Sequence, residues 1–397
     1  MGHLLYGSTA KNCLTGDYMK KKVLLGLSGG VDSAIAAYKL IQDGYDVTGA
    51  FMRNWDAMAN GDFLGNPTVN DNQCPQEKDY DDAKAVAKKL GIPLLRIDYV
   101  KEYWDTVFSY FLAEYKKGRT PNPDVLCNKN IKFGPFLTYA KEHGFDYIAM
   151  GHYAKKVEKD GVFYLAKPYD LNKDQTYFLC ELNEEQISSC LFPMNDITKV
   201  QAREIADKLG LNEVSSKHGS TGICFIGERH FREFLHNYFP AKKGPIVDIE
   251  TNRVLGEHMG VLYYTLGQRK GLGIGGIKGE GDATWFICKK DVEKNILYVT
   301  KGDSSSYLMS DECFISDVNW IGKRPEKEIP IQVKFRYRQK DNPCTLSFEG
   351  DEVHLRYNEL VEAVTPGQFA VFYDSDGLLL GGGIIDRTFL KGKRQDK

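Results

Sequence analysis

Residues 28–33 of the chain, Ser-Gly-Gly-Val-Asp-Ser, combine two glycines with two hydroxyl groups and a carboxylate. A hydrophobic run at residues 23–27 precedes them and a mostly apolar run at residues 34–38 follows, which predicts a strand, a glycine turn and the start of a helix. Glycines let backbone N–H groups approach an anion, and a helix N-terminus adds partial positive charge. The segment predicts a site for a pyrophosphate group, with a purely structural turn as the alternative.

This segment is not a Walker loop, because no Gly-Lys-Ser/Thr follows its glycines. In a Walker loop, the lysine and the hydroxyl hold the β- and γ-phosphates for transfer of the terminal phosphoryl group. Here Ser28, Asp32 and Ser33 occupy the loop instead. The sequence therefore indicates a different use of the phosphates.

A second candidate segment, residues 120–129, carries a cysteine close to a predicted helix start. Two prolines precede Asp124, which we expect to be the N-cap, so that Cys127 falls at the third helical position. Thiols at helix N-termini are acidified, and the Asp124 carboxylate could exchange a proton with the thiol or with a substrate. A third segment, residues 220–229, places Cys224 in a glycine-flanked loop near a domain junction. A small buried side chain is the alternative for each cysteine.

The remaining cysteines suggest no further site. The chain has nine cysteines, an odd and scattered number without a CxxC pair, so we expect reduced thiols and no disulfide framework or metal site. Cys180 and Cys190 lie among apolar neighbours and are predicted core thiols, whereas Cys74 has no predicted role. His218 lies six residues before Cys224 and could tune that loop, but a solvated histidine is the simpler interpretation.

Composition limits the class of protein. The 397 residues, 42% of them hydrophobic, predict two or three domains with real cores. No stretch approaches the ~20 uncharged residues of a membrane span and none resembles a signal peptide, so we expect a cytosolic protein that binds no membrane. Separately, we expect a monomer. A formal charge of −2 means that any contact with RNA has to come from local patches.

Alternating element types predict an α/β first domain. Strand-like runs alternate with helix-like runs up to about residue 151, which predicts a parallel sheet covered by helices. The strands are expected at 23–27, 45–52, 93–98 and 147–151, and the helices at 33–43, 80–90, 103–117 and 132–143. A hairpin at 155–167 and a helix at 197–209 should extend this domain, and a short helix at 231–239 should follow it. The expected limits are an extension at 1–20, a nucleotide-binding domain at 21–228, a small β-rich domain at 229–300 and a β-barrel at 301–390.

Two segments bear on binding partners. Residues 329–338 alternate strictly, with Ile331, Val333, Phe335 and Tyr337 on one face and Gln332, Lys334, Arg336 and Arg338 on the other. Such a basic strand face could track phosphates, with a merely solvated barrel strand as the alternative. Residues 271–276 satisfy GxGxxG, but no helix pattern follows, so we expect a mobile loop instead of a dinucleotide site.

Three motifs together resemble one family. The SGGVDS loop is similar to that of the PP-loop ATP pyrophosphatases, which adenylate an oxygen and release pyrophosphate. Combined with NPDVLC at 122–127 and GICFIG at 222–227, it resembles the tRNA-specific 2-thiouridylases over residues 21–389. The resemblance implies a PP-loop domain, a small middle domain and a tRNA-binding C-terminal barrel. It also implies replacement by sulfur of the 2-oxygen of the wobble uridine in tRNAs for lysine, glutamate and glutamine, after adenylation by ATP with Mg²⁺.

The resemblance also implies site residues. It places the nucleotide at Gly26, Leu27, Ser28, Gly29, Gly30, Val31, Asp32, Ser33, Met52 and Gly151, and the target base at Asn122, Pro123 and Asp124. It places other tRNA contacts at His152, Lys173, Asp174, Gln175, Arg336, Tyr337 and Gln368, of which the acidic Asp174 suits a base edge or sugar better than a phosphate. Cys224 would receive persulfide sulfur from a donor protein, a cysteine desulfurase or a relay protein. Cys127 would release that sulfur and leave a disulfide between the two.

Two other functions remain open from the residues alone. An amide-forming adenylating ligase that acts on a small molecule would use the same loop, but it needs neither the cysteine pair nor the basic strand. An ATP-binding RNA-binding protein without catalysis would be expected to lack Cys127 or Asp124, and both are present.

Overall fold

The first domain is built on a parallel sheet. The computed structural model of the protein describes residues 20–64, 75–215, 231–274 and 284–395. The sheet contains β1 (Lys22–Gly26), β2 (Asp46–Arg53), β3 (Leu94–Asp98), β4 (Tyr147–Ala149) and β7 (Cys190–Leu191). Their order is β3-β2-β1-β4-β7 and the pairings are parallel, as predicted. The chain builds outward from β1 in one direction and then from β4 in the other, and ligands of such sheets bind at that switch point.

Helices cover both faces of this sheet. Alternate residues of β1 enter different hydrophobic clusters, Leu24 one and Val23 and Leu25 the other, so neither face is left to solvent. The helices are α1 (Val31–Gln42), α2 (Pro75–Leu90), α3 (Val100–Tyr103), α4 (Ser109–Lys116), α5 (Pro123–Cys127), α6 (Pro135–Glu142), α7 (Glu184–Ser188), α8 (Lys199–Lys208) and α9 (Asn212–Ser215). Among the described residues, none of the helices combines the length and the apolar character that a membrane span requires.

Two π-helical turns modify the predicted helices. One at Trp104–Phe108 joins α3 to α4, so the helix expected at 103–117 is continuous but locally widened. The other at Asn128–Lys132 follows α5, and α6 then begins at Pro135 instead of residue 132. Turns of this kind are frequent at functional sites, and the second one directly follows Cys127.

The hairpin predicted at 155–167 forms, and it also pairs with a strand of the C-terminal barrel. Its strands are β5 (Lys155–Lys159) and β6 (Val162–Ala166), and β6 pairs with β17 (Leu378–Leu390) near the end of the chain. Local alternation predicts a hairpin without indicating which sheet edge it will join. The hairpin therefore ties the first domain to the C-terminal barrel.

The middle domain is a small sheet with the order β10-β11-β8-β9. The helix α10 (Phe231–His236) precedes its strands, which are β8 (Gly244–Asp248), β9 (Val254–His258), β10 (Trp285–Asp291) and β11 (Ile296–Lys301). The GxGxxG segment forms a turn without helix as far as residue 274, and the rest of it lies outside the described residues.

The C-terminal domain is the predicted barrel. Within the described residues, its strands are β12 (Met309–Trp320), β13 (Ile329–Lys334), β14 (Asn342–Glu349), β15 (Glu352–Glu362), β16 (Phe369–Tyr373) and β17, and a short β18 (Lys393–Arg394) pairs with β17. The antiparallel order β12-β15-β14-β13-β16-β17 closes on itself because β12 also pairs with β17. Closure removes the exposed edges of the sheet.

The basic strand face predicted at 329–338 is wrong in two respects. The strand β13 ends at Lys334, so residues 335–338 leave the alternating pattern. Lys334 is 8% exposed, and its ammonium lies 2.8 Å from the carboxylate of Asp174 in the first domain. The pattern was misleading because the acidic partner lies 160 residues away in the sequence. This buried ion pair joins the barrel to the first domain.

We predict that Lys334→Met destabilises the protein. The substitution leaves the buried Asp174 carboxylate without its cation, which costs about 3 kcal/mol or more of unfolding free energy. Urea unfolding of the full chain measures this, with the exposed Lys340→Met as a control that should change stability by less than about 0.5 kcal/mol. The double variant Asp174→Asn/Lys334→Met should recover part of the loss. A double variant as unstable as Lys334→Met would contradict the ion-pair explanation.

Candidate active site

The segment after β1 turns sharply into α1. Gly29 has a φ of +72°, and a Cβ there would lie 2.3 Å from the backbone oxygen of Asp79, so only glycine fits. The Ser33 hydroxyl donates to the Gly30 carbonyl at 3.0 Å and accepts from the Ser28 N–H at 3.2 Å, which fixes the turn. Gly30 is the N-cap and has no side chain to bind the first N–H groups of α1. The N-terminus of this 12-residue helix is therefore suited to an anion.

Other predicted nucleotide residues border the same turn. A Cβ on Gly151, just after β4, would lie 2.9 Å from both the Asp32 carbonyl carbon and the Ser33 nitrogen, so this position needs glycine for close approach. A Cβ on Gly26 would lie 2.9 Å from the Met52 methyl group. The structure brings these residues together at the carboxyl ends of the strands, and their contact with a nucleotide stays a prediction.

Asp32 lies at the centre of a polar cluster. Its Oδ1 accepts from the Tyr153 hydroxyl at 2.9 Å and from the Lys199 ammonium at 2.6 Å. Burial raises the pKa of Tyr153, and the Asp32 charge raises it further, so the hydroxyl stays protonated and donates. Burial lowers the pKa of Lys199, which the Asp32 carboxylate opposes. The cluster joins α1, the segment after β4 and the start of α8.

Two more cations lie near this cluster. Lys173 and Arg203 are close enough to lower the pKa of Lys199 by repulsion, although burial is the larger cause. Neither forms an ion pair within the described parts of the chain. The buried Asp170 carboxylate accepts from the backbone N–H of Lys199 at 2.9 Å and so fixes the start of α8 beside residues 171–173. Lys173 and Arg203 therefore add positive charge near Lys199.

The predicted tRNA-contact segment 173–175 is connected to the same cluster. Gln175 and Tyr153 bind each other twice, because the backbone N–H of Gln175 donates to the Tyr153 carbonyl and the Tyr153 N–H donates to the Gln175 side chain, both at 3.0 Å. Asp174 binds the N–H and the hydroxyl of Thr176 in addition to Lys334. The Asp174 carboxylate is thus buried and already bonded, and its contact with RNA stays a prediction.

The predicted position of Cys127 in helix α5 is wrong, because the helix begins earlier than expected. The N-cap is Asn122 and not Asp124, since the Asn122 side chain accepts from the N–H groups of Asp124 at 3.2 Å and Val125 at 3.4 Å. Pro123 is the first helical residue, as proline prefers. Cys127 is therefore the fifth helical residue, beyond the first turn where the helix dipole acts most strongly on a thiol. Its side chain is 2% exposed.

Asp124 and His152 share an electrostatic neighbour. Burial raises the pKa of the half-buried Asp124 carboxyl, and the nearby Lys132 ammonium opposes this. Burial lowers the pKa of His152 well below its ordinary value, and Lys132 lowers it further, so the ring is neutral at pH 7. The His152 ring lies against Phe133, and within the described residues its Nδ1 has no hydrogen-bond partner. An orphaned polar atom of this kind suits a ligand group.

The barrel holds the segment that leads into α5. The Gln368 amide donates to the carbonyls of Thr120 at 2.7 Å and Pro121 at 3.3 Å. In return, the Thr120 N–H donates to the Pro366 carbonyl at 3.0 Å. The structure therefore assigns Gln368 a positioning contact in addition to the predicted contact with tRNA, which is untested.

Arg336 and Tyr337 face the junction between domains. Arg336 binds the carbonyls of Leu266 and Ala363 at 3.1 and 2.8 Å and the Thr365 hydroxyl at 3.1 Å, all through one nitrogen. The Tyr337 ring packs on Phe178 at 4.4 Å between centroids. Burial raises the pKa of Tyr337 to about 12; Arg338 opposes this, and the carboxylates of Asp174, Asp32 and Asp170 add to it. Tyr337 therefore lies on the side of the barrel that faces the loop.

Several predicted residues fall outside the described ranges. Cys224 lies within residues 216–230 together with His218, and Cys74 lies within residues 65–74. Their predicted roles stay predictions. Cys180 and Cys190 are both 0% exposed, as expected of core thiols.

Sequence reasoning missed Tyr153, Lys132 and Lys199. Tyr153 and Lys132 carried no local signal, since each acts through residues distant in sequence. Lys199 could have been placed at a helix start, because Thr198 and Gln201 form a capping box around it. Its pairing with Asp32, 167 residues away, had no signal in a single sequence.

Models of known protein families match the chain in three parts. The model described as "tRNA methyl transferase HUP domain" matches residues 21–228. The models described as "tRNA methyl transferase PRC-barrel domain" and "Aminomethyltransferase beta-barrel domain" match residues 232–301 and 310–385. This succession agrees with the parallel-sheet domain, the small sheet and the barrel of the structure.

Full-length relatives are similar over nearly the whole chain. The protein named tRNA-specific 2-thiouridylase MnmA from Mycoplasma capricolum subsp. capricolum is 52% identical over 381 residues, 93% of this chain and 100% of the relative. A protein of the same name from Acholeplasma laidlawii is 50% identical over 95% of this chain and 99% of the relative. Among solved structures, an NMN synthetase from Francisella tularensis gives a TM-score of 0.31 at 16% identity, over 51% of this chain and 68% of that one, which supports no conclusion. By the identity and coverage of its relatives, the chain belongs to the MnmA family of tRNA-specific 2-thiouridylases.

Proposed function

We propose that this enzyme converts the wobble uridine of tRNAs for lysine, glutamate and glutamine into 2-thiouridine, with ATP as co-substrate, in the cytosol. The observation that carries the proposal is the glycine turn of residues 28–30 at the N-terminus of α1, which has no side-chain cap and lies at the switch point of the parallel sheet. Family membership makes tRNA the expected substrate. The structure describes most of the residues expected to act.

The loop fits the phosphates of ATP. A Cβ on Gly30 would meet only the Ser28 hydroxyl, at 3.5 Å, so the backbone of the loop is open there to close approach. The exposed Ser28 hydroxyl and the N–H groups of α1 supply donors, and Lys199 lies close by. Mg²⁺ would reduce the charge of the phosphates. Since the described residues contain no group of three or more His, Cys, Asp or Glu side chains suited to a metal, Asp32 and the phosphates themselves would hold it.

Adenylation solves the chemical problem of the substrate. The C2 carbonyl of uridine is a poor electrophile, and its oxygen is a poor leaving group. When O2 attacks the α-phosphorus, pyrophosphate leaves with the electron pair of the broken P–O bond. The oxygen can then depart from C2 as AMP when sulfur attacks. Neutral His152 and the Asn122-capped helix start are suited to holding a base that has left its stack.

Two cysteines would deliver the sulfur. A donor protein places a persulfide on Cys224, and the Cys127 thiolate attacks the Cys224 sulfur. The persulfide S–S bond breaks, hydrosulfide leaves with the electron pair, and a disulfide joins the two cysteines until a thiol reductant restores them. Asp124, with its pKa raised by burial, is suited to accept a proton during these steps.

The RNA contacts are proposed in a modified form. Lys173 and Gln175 lie beside the polar cluster around Asp32, and Arg338 is exposed next to Tyr337. These side chains could therefore contact the anticodon arm. Arg336 and Gln368 already bind backbone carbonyls. We therefore propose that they position the neighbouring backbone as well as contact the tRNA. Lys334 is excluded from phosphate contact by its burial.

We predict ATP-dependent formation of 2-thiouridine in unmodified glutamate tRNA incubated with the protein, Mg-ATP and a persulfide donor. Nucleoside mass spectrometry detects the product, and a reaction without ATP is the control. Cleavage of ATP to AMP and pyrophosphate without 2-thiouridine would contradict the proposal and favour a small-molecule ligase.

We predict that Cys127→Ser and Cys224→Ser each abolish thiolation and leave the release of pyrophosphate intact, because adenylation needs neither thiol. Cys288→Ala is the matched control, since Cys288 is also buried and its pKa is raised to about 12, which keeps it a protonated thiol. Normal thiolation by Cys224→Ser would refute the sulfur-carrier role.

We predict that Asp124 contributes to the pH dependence of the unfolding free energy. A carboxyl with a pKa raised in the folded state binds its proton more tightly there, so it reduces stability as the pH rises above about 3.9. Asp124→Asn should therefore gain stability relative to the parent between about pH 3 and pH 7, as measured by urea unfolding.

Asp386→Asn provides a control of opposite sign. Burial alone would raise the pKa of Asp386, but hydrogen bonds from Arg119 and Arg387 lower it below its ordinary value. This variant should lose stability relative to the parent as the pH rises through the range just below about 3.9. The same sign for both variants would show that the Asp124 environment has been misassigned.

A further inference from the structure

The nucleotide loop lacks a cation of its own, yet cations surround it. Residues 28–33 contain no lysine or arginine. Lys199 at the start of α8 lies 2.6 Å from Asp32 of this loop, and Lys173 and Arg203 lie near Lys199. Asp32 accepts from the Lys199 ammonium, and Asp170 accepts from the backbone N–H of the same residue. Lys199 therefore places a cation beside the loop from a separate helix.

The proposed chemistry requires positive charge at this place. When O2 of uridine attacks the α-phosphorus, the bond between that phosphorus and the bridging oxygen breaks, and pyrophosphate takes the electron pair. Negative charge then accumulates on the β- and γ-phosphates, and a cation that contacts them stabilises the transition state. In Walker-type enzymes a lysine of the loop itself contacts these phosphates.

We infer that Lys199 leaves Asp32 and contacts the β- and γ-phosphates of bound ATP, so that it supplies from α8 the cation that the loop lacks. This inference rests on the proposed adenylating function. Lys199 would then be a catalytic residue, since it touches the leaving group. Lys173 and Arg203 add to the positive field.

The local structure allows the Lys199 side chain to change partners. The capping box of Thr198 and Gln201 and the Asp170 carboxylate fix the backbone at the start of α8. The long side chain of Lys199 can therefore move without the helix. Asp32 keeps the Tyr153 hydroxyl as a donor at 2.9 Å, so its carboxylate is not left without a hydrogen bond. The Lys199 and Asp32 side chains are 16% and 27% exposed, so the pair is open to a ligand on one side.

The alternative role for Lys199 is a purely structural ion pair, and the chain offers a matched control for it. Lys39 lies on α1, as Asp32 does. Its ammonium pairs with Asp196 at 2.7 Å, and its side chain is 21% exposed. This pair likewise joins α1 to the segment before α8, but it lies in the last turn of α1, away from the loop. A structural effect should be similar at both lysines, whereas an effect on phosphates should be confined to Lys199.

The test is titration calorimetry of the full chain with α,β-methylene-ATP, AMP and pyrophosphate. Lys199→Met should raise the Kd for the ATP analogue and for pyrophosphate by about tenfold or more and change that for AMP by less than about twofold. Lys199→Arg, which keeps the charge, should retain most of the pyrophosphate affinity. Lys39→Met should change none of the three affinities.

Two results would overturn the inference. One is unchanged pyrophosphate affinity in Lys199→Met, and the other is an equal loss for AMP and pyrophosphate, which would indicate structural damage. Parent protein that binds neither the ATP analogue nor pyrophosphate would overturn the proposed function itself. Thermal unfolding of each variant shows whether it is folded, and Lys199→Arg keeps the test decisive if Lys199→Met is not.

Discussion

The carboxylate of Asp32 is the contact through which the parts of the first domain meet. It lies in the second position of α1, and it binds Tyr153 from the segment after β4 and Lys199 from the start of α8. Tyr153 in turn is held twice by Gln175, so the nucleotide loop and the predicted tRNA-contact segment share one hydrogen-bonded frame. A carboxylate at a helix N-terminus is itself favourable. Here it also joins the segment after β4 to α8.

The barrel holds the segments that carry several of the predicted site residues. Gln368 and Pro366 hold Thr120 and Pro121, which immediately precede the cap of α5, and α5 carries Asp124 and Cys127. The buried Lys334–Asp174 pair fixes the other side of the same junction. A barrel that served only as an RNA platform would not need bonds to these two segments. Its placement therefore constrains the positions of Asp124 and Cys127.

The sequence revealed the elements whose cause is local. The glycine turn, β1 and α1 were predictable because hydrophobic runs, glycine and helix periodicity lie within about fifteen residues of one another. The N-cap of α5 was predicted at the wrong residue because Asn122 and Asp124 are both good N-caps. The signal in favour of Asn122 is Pro123, since proline prefers the first helical position. The basic face at 329–338 failed because Lys334 and Arg336 find partners in other domains. The role of Lys199 could not be predicted for the same reason, since its partner Asp32 lies 167 residues away in the sequence.

The proposed position of the cation follows from the bond that the proposed adenylation breaks. Transfer of a γ-phosphoryl group leaves a nucleoside diphosphate behind, and a lysine within the loop can stay bound to it through the reaction. Release of pyrophosphate instead requires the enzyme to hold the β- and γ-phosphates during bond cleavage and then let them go. A lysine on a separate helix, with Asp32 as an alternative partner, meets both requirements. The return of Lys199 to Asp32 would compensate for the loss of the phosphate contact when pyrophosphate departs, and so favour its release.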